Sequence, residues 1–288
     1  MATLVNINGK ILPEEKATVS VFDRGFLFGD SIFEVLRTYG NRLFAFDMHM
    51  DRLESSAQQV SLKLPFSREA AYREMSRTVK KAGNRESYIR VIVTRGSGRI
   101  VMDPSFASNP QTIIIVQDFE PPAEDVKKRG VAAALVEVRR NPSNALSPSI
   151  KSGNYLNSVL AQIEAKASGA KEAIMLNQKG DVAEGTVFNI FMVKGGKVFT
   201  PPLSAGILDG ITRKLIIRHA LEAGIRIAET NFNAAKLVGA DEVFFTSTLR
   251  EIQPVLKIND KPVGGGAPGP VTLKLFDILR TAIPHYLS

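Results

Sequence analysis

Ser149–Ile150–Lys151–Ser152–Gly153–Asn154–Tyr155–Leu156–Asn157 places a lysine between an extended run and a helix. Upstream, residues 131–138 are apolar and β-branched and read as a strand. Downstream, Leu156, Val159, Leu160 and Ile163 recur at helical spacing, and Gly169 closes the helix. Lys151 therefore falls in a turn of small residues around Gly153. A lysine in a tight pocket loses hydration, its pKa falls, and its free amine can attack a carbonyl, which is Schiff-base chemistry. The same residue on an open surface is simply solvated, as most lysines are. The rest of the chain has to decide between the two.

Outward from this stretch, strand and helix signals intersperse. Residues 3–11 alternate around Asn8–Gly9, a hairpin signal. The segment Asp23–Arg24–Gly25–Phe26–Leu27–Phe28–Gly29–Asp30 brackets aromatic residues between glycines, and residues 31–39 follow as a strand. Asp47 is expected to cap a helix carrying His49, Arg52 and Leu53. Ser67 and Gly83 should bound a second helix over residues 67–81. Residues 87–94 and 112–116 read as strands, joined through a mobile basic loop, Arg95–Gly96–Ser97–Gly98–Arg99. A polar stretch with Pro121–Pro122 separates two strand-rich halves and reads as a linker. The division is then residues 1–118, a linker at 119–130, and a larger domain at 131–288. In the second half, strands at 172–176, 187–193, 198–200 and 241–245 alternate with helices opening near Gly210 and Gly269. Frequent hairpin turns among the helices predict an α+β fold, not a doubly wound parallel sheet.

Composition sets outer bounds. The 288 residues are 44% hydrophobic and 23% charged, ordinary for a globular protein of one large or two medium domains. No apolar run reaches a membrane span and no signal-peptide stretch is seen, so a cytoplasmic protein without a membrane partner is expected. There is no cysteine, which excludes disulfides, thiol nucleophiles and thiolate metal sites. His49, His219 and His285 are far apart, so no metal site is expected. The net charge of +8 is spread over Lys80–Lys81, Lys127–Lys128–Arg129 and Arg139–Arg140, with no nucleic-acid motif beside them. A small anionic cofactor or substrate explains that charge as well as nucleic acid does. Neither GxGxxG after a strand nor GxxxxGK[ST] occurs.

Several short motifs could carry chemistry. Gly210–Ile211–Thr212 opens a helix, where unpaired amides and the dipole favour an anion and Thr212 adds a hydroxyl. Thr246–Ser247–Thr248 offers further hydroxyls after a strand, and Arg52 could fork a phosphate. Glu184, in Ala183–Glu184–Gly185–Thr186, could pair with a protonated ring nitrogen. Singly each has a plain reading: a helix cap, a polar strand end, a surface arginine, a hairpin carboxylate in water.

Together, and in this order, Asp23–Arg24–Gly25–Phe26–Leu27–Phe28–Gly29–Asp30, the Lys151 stretch, Ala183–Glu184–Gly185–Thr186, Gly210–Ile211–Thr212–Arg213 and Ala240–Asp241–Glu242–Val243–Phe244 resemble the class IV, fold-type IV pyridoxal-phosphate enzymes. The resemblance covers nearly the whole chain. It implies a two-domain fold with pyridoxal 5'-phosphate in the cleft between the domains, the larger C-terminal domain binding the cofactor, and a homodimer. It implies that Lys151 is the Schiff-base lysine and proton shuttle, that Glu184 holds the pyridine nitrogen, and that Tyr155 bonds the phenolic oxygen. Arg52, the amides of Ile211 and Thr212, and Thr248 would hold the phosphate, and Leu208 would pack on one ring face.

Tyr88–Ile89–Arg90 and the lysine stretch are similar to branched-chain aminotransferases, which implies transamination between a hydrophobic, branched-chain L-amino acid and 2-oxoglutarate. Phe33, Val35, Arg37, Tyr88, Arg90 and Arg99 are the candidate substrate residues, with Arg90 or Arg99 taking the carboxylate. Val35 and Val187–Phe188 depart from that pattern and are similar to D-amino-acid and (R)-amine transaminases, and Arg99 lies in a loop resembling the carboxylate-binding loop of D-amino-acid enzymes. A D-amino-acid or (R)-amine transaminase is therefore the alternative, and aminodeoxychorismate lyase a further one. A rival of another class, a non-catalytic anion- or nucleic-acid-binding protein, rests on charge alone.

Overall fold

The computed structural model describes residues 3–125 and 128–288, so Lys127 of the basic run and residues 126–127 of the expected linker lie outside the described residues. The chain divides into two compact units. The first holds the residues up to Glu120 together with Ile150–Asn154 and Tyr286–Ser288; the second holds Pro121–Ser149 and Tyr155–His285. The lysine stretch thus clusters with the first unit although it lies in the second half of the chain.

The first unit contains β1 (Leu4–Ile7), β2 (Lys10–Pro13), α1 (Arg24–Phe28), β3 (Ser31–Tyr39), β4 (Arg42–Leu43), α2 (Phe46–Gln59), α3 (Arg68–Ala82), β5 (Ser87–Thr94) and β6 (Gln111–Asp118). Its sheet runs β2-β1-β6-β5-β3-β4, and its pairings are antiparallel. Asn8 and Gly9 both have positive φ, 50° and 88°, as a two-residue hairpin turn of the primed type requires. Ser67 caps α3 by accepting from the Ala70 amide at 3.3 Å, and Gly83 ends it in the left-handed region, as expected.

One local expectation changes. Asp47 does not cap α2. The cap position is Ala45, in the left-handed region with no side-chain bond, and Asp47 falls in the first turn, where its charge suits the helix dipole. The Ala45 amide donates to Tyr286 O at 2.7 Å, so the C-terminal residues fix where this helix begins. The Asp23–Asp30 segment, read from sequence only as aromatic residues between two glycines, contains α1: Asp23 accepts from the Gly25 amide at 2.7 Å and caps it.

The two faces of β3 diverge in role because side chains alternate along a strand. Ile32 and Leu36 join Ile89, Val91 and Val93 of β5, Leu53 of α2 and Met75 of α3 in the core. Phe33, Val35 and Arg37 point the other way, opposite Ile92, Arg90 and Tyr88 across the ladder. Five of the six candidate substrate residues therefore share one sheet face.

The second unit contains β7 (Val131–Leu135), α4 (Leu156–Ala167), β8 (Glu172–Leu176), β9 (Val182–Gly185), β10 (Asn189–Lys194), β11 (Lys197–Thr200), α5 (Ile211–Glu222), β12 (Ile227–Glu229), α6 (Ala234–Val238), β13 (Glu242–Ser247), β14 (Glu251–Ile258), β15 (Lys261–Pro262) and α7 (Pro270–Ala282). Its nine-stranded sheet runs β12-β11-β10-β13-β14-β7-β8-β9, with β15 beside β14. β7 is parallel to β8 and β14, β11 is parallel to β12, and the remaining pairings are antiparallel. This mixture is the α+β arrangement expected. The apolar stripe that identifies α4 is not the face it buries. Ser158, Ala161 and Ala165 face inward, because small side chains let the helix lie close to β7 and β8. Leu156, Val159, Leu160 and Ile163 are 48–69% exposed. Among the described residues, no helix is long and apolar enough to cross a membrane.

Candidate active site

In the first unit, Lys151 is held by its main chain. The Phe33 amide donates to Lys151 O at 2.9 Å, the Gly153 amide donates to Ser31 O at 2.8 Å, and Ser152 bridges Ile32 in antiparallel sense. Ile150–Asn154 therefore lies along β3 like a short extra strand. A Cβ at Gly153 would come within 2.3 Å of Ser31 Oγ, so any side chain there would force the Ser31 hydroxyl to move. The Lys151 amide donates to Ser56 Oγ at 3.2 Å, and Ser56 is fully buried on α2. The Lys151 ammonium lies 4.5 Å from the centroid of the Phe33 ring, and the Arg90 guanidinium 3.9 Å from the same centroid.

The three arginines proposed for substrate differ in setting. Arg90 stands on the Phe33–Val35 face. Arg37 is buried, with its guanidinium 3.9 Å from the Tyr39 ring and 4.7 Å from the Phe119 ring, and its Nε donates to Thr38 O. Arg99 is exposed and lies over Phe106, 5.4 Å from its centroid. The loop it occupies is better anchored than its glycines suggest: Arg24, 3% exposed, donates to Val101 O at 2.7 Å and Met102 O at 3.1 Å, and Ser97 bridges Asp23.

Arg52 is not a surface arginine. Its Nε and Nη2 fork the carboxylate of Glu34 at 2.6 and 2.8 Å, and His49 Nδ1 meets the same carboxylate at 2.7 Å. His49, Arg52 and Ser56 are spaced three and four residues apart, so one face of α2 carries all three. Burial opposes ionisation of Glu34, but Arg52 and then His49 outweigh it and hold the carboxyl well below its usual 4.5. Burial lowers His49 from 6.5; Glu34 opposes this, while Arg52 and Lys151 add to it. At Asp30 burial is likewise overcome, by Arg95 and Arg24, and the carboxyl drops below 3.8.

All three shifts have one sign. The unfolded chain takes up each proton at a higher pH than the folded one, so stability falls as pH falls. We expect the decline to begin below 6.5 with His49 and to steepen below 4.5 and 3.8 with Glu34 and Asp30. Urea midpoints measured from neutral to acid pH test this. A midpoint that stays flat down to the carboxylate range would contradict it, and His49→Gln should remove the upper step and weaken the Glu34 one.

In the second unit, Glu184 on β9 is 4% exposed and accepts from Arg140 Nε at 2.9 Å, Asn189 Nδ2 at 3.1 Å and the Leu208 amide at 3.0 Å. Asn189 also donates to Leu208 O at 2.8 Å, so Leu208 is fixed at both ends of its backbone. Glu184 is thus no hairpin carboxylate in water but a buried, aimed one. Gly210 follows because a Cβ there would fall 1.8 Å from Asn189 Oδ1. It begins α5 without a side-chain cap. Thr212 does not cap this helix: it is 3% exposed and its hydroxyl has no hydrogen-bond partner among the described residues. The buried Thr246 hydroxyl on β13 is in the same state. Tyr155 is the residue preceding α4, and Thr248 lies in the turn between β13 and β14.

A family model described as amino-transferase class IV matches residues 31–258. The chain belongs to the class IV aminotransferase family. This aminotransferase is 41% identical over 280 residues to a Methanocaldococcus jannaschii protein provisionally named a branched-chain-amino-acid aminotransferase, with 96% of each chain covered. It is 32% identical over 279 residues to the D-alanine aminotransferase of Bacillus licheniformis, covering 97% of this chain and 96% of that one. Among solved structures it is similar to the T.th. branched-chain amino acid aminotransferase complexed with N-(5'-phosphopyridoxyl)-L-glutamate, at a TM-score of 0.92 and 31% identity over 100% of this chain and 98% of that one. The aminotransferase uses pyridoxal 5'-phosphate.

The side chains suit that cofactor. An uncapped α5 N-terminus with the unpartnered hydroxyl of Thr212 can satisfy a phosphate dianion. A carboxylate on three fixed donors can face a protonated ring nitrogen, and a lysine with an anchored main chain offers the amine. Sequence reading did not single out Glu34, Ser56, Arg140 or Asn189, nor give His49 a role; it did mark Thr246 among the hydroxyls after a strand. The spacing of His49, Arg52 and Ser56 marks one helix face and could have grouped them. Arg140, far along the chain from Glu184, carries no local mark.

Proposed function

We propose that this aminotransferase transfers the amino group of a hydrophobic L-amino acid, branched-chain by preference, to 2-oxoglutarate. The observation that carries the reading is the β3–β5 face beside Lys151, where Phe33, Val35 and Tyr88 provide apolar surface and Arg90 provides a cation over Phe33. The names of the M. jannaschii and T.th. relatives agree with it, and the glutamate adduct bound by the latter motivates the acceptor.

When bound, the cofactor would supply an electron sink for the bond broken at the substrate Cα. Lys151 would be the Schiff-base lysine, and its amine, placed beside the substrate Cα, would be the base that carries the proton between Cα and the cofactor's C4′. Glu184, kept in place by Arg140 and Asn189, keeps the ring nitrogen protonated. Tyr155 would donate to the phenolic oxygen, and Leu208 would cover one ring face. Arg52, the Ile211 and Thr212 amides and Thr248 take the phosphate. Arg90, on the face that carries Phe33 and Val35, takes the substrate carboxylate, with Arg99 the other candidate; Arg37 is committed to its aromatic neighbours.

Val35 and the Bacillus relative favour a second reading, a D-amino-acid transaminase, with (R)-amine transaminase and aminodeoxychorismate lyase as further variants. Initial rates with L-leucine and D-alanine, each with 2-oxoglutarate, separate the readings. Turnover of L-leucine alone is expected; turnover of the D-isomer alone would overturn the first reading, and pyruvate release without an acceptor would indicate the lyase. A homodimer is part of the proposal. The exposed apolar stripe of α4 is the kind of surface a second copy covers, and sedimentation of the holoenzyme measures it directly.

A further inference from the structure

Glu251 has a backbone that its residue type resists. It opens β14 directly after the turn that carries Thr248, and its φ is 57°, in the left-handed region where a short hairpin turn normally places glycine. It is also 2% exposed, so its carboxylate needs partners. Two arginines supply them: Arg129 Nη1 at 3.0 Å and Arg280 Nε at 3.1 Å, both on Oε2. Arg129 Nη1 also donates to Arg250 O at 3.3 Å, so the same guanidinium holds the carboxylate and the last peptide of the turn. Both arginines rest against Phe276 of α7, at 4.7 and 5.3 Å from its centroid. Arg250 is anchored separately to Glu172 at 2.6 Å. A strained residue persists only where its surroundings over-determine it, and such residues gather where a functional group has to be aimed. The group aimed by this turn is Thr248.

We propose that Glu251 is a positioning residue: its carboxylate, clamped by Arg129 and Arg280, holds the β13–β14 turn in the shape that presents Thr248 to the cofactor phosphate. This rests on the assignment of Thr248 to the phosphate made above. A glycine would adopt the backbone more easily but would lose the clamp; a glutamine would keep the shape and lose the charge that the two arginines share.

The test compares pyridoxal 5'-phosphate with pyridoxal, which lacks the phosphate, by titrating each onto the full-length, cofactor-resolved enzyme and following the visible band. Glu251→Gln and Glu251→Gly should each lower the preference for the phosphorylated form by about tenfold while leaving pyridoxal affinity near that of the parent. The phosphorus resonance of bound cofactor should shift in the holoenzyme forms. Arg280→Met, which removes one clamp from a half-exposed position, should act in the same direction but less, and serves if neither Glu251 variant folds. Thr248→Val is the reference. If it leaves the preference unchanged, the phosphate assignment is wrong and the proposal falls with it. If Thr248→Val lowers the preference and the Glu251 and Arg280 variants do not, the assignment stands and the proposal alone is overturned. Equal loss of both ligands would mean a purely structural role and would also overturn it.

Discussion

Lys151→Ala should reduce turnover by about 10⁴-fold or more and abolish the aldimine band of the holoenzyme. The variant should nevertheless fold and melt close to the parent. The bonds that seat residue 151 on β3, to the Phe33 amide and to Ser56 Oγ, are made by its backbone and survive truncation of the side chain. Phosphate anchoring is also independent of the amine, so some affinity for the cofactor should remain. Borohydride reduction of the parent, followed by peptide mass analysis, locates the linkage. An adduct on any other lysine, or cofactor fixed by borohydride to Lys151→Ala, would sink the assignment.

Glu184→Gln should lower kcat by about 10²–10³-fold with little change in KM, because a neutral amide cannot hold the ring nitrogen in its protonated form. The loss belongs to the chemical step and not to substrate affinity. Stability should also fall, by about 2 kcal/mol, since Arg140 loses the charge it faces at 2.9 Å in a site where Glu184 is 4% exposed. Asn189 and the Leu208 amide keep an acceptor in glutamine, so the strand should stay in register. Steady-state kinetics and urea unfolding of the same preparation separate the two effects. A variant that loses stability but retains its kcat would show that Glu184 only supports the fold.

These expectations rest on contacts that differ in how far they reach along the chain. Asn8–Gly9, Ser67 with Gly83, and the spacing of Leu156 through Ile163 predicted a turn and two helices correctly, because each depends on residues within a few positions and on backbone preferences that act locally. Residues 31–39 read as a strand for the same reason, and the order of short motifs made the family recognisable. The start of α2 was misread at Asp47 because Ala45 is held by Tyr286, which no local pattern records.

The role of each charged group depended on tertiary structure. Arg52 looks like a surface arginine until Glu34 and His49 are found against it, and Glu184 looks solvated until Arg140, 44 positions earlier, closes on it. Lys151 gains its seat from Ser31, Phe33 and Ser56, more than ninety residues upstream. Hydrophobic periodicity and turn chemistry are written in neighbouring residues, so the sequence alone determined the elements, the α+β class and the family. Desolvation and charge pairing depend on which distant groups folding brings together, so only the tertiary structure decided which carboxylates are buried, which arginines are already engaged, and why a glutamate at position 251 adopts a backbone better suited to glycine.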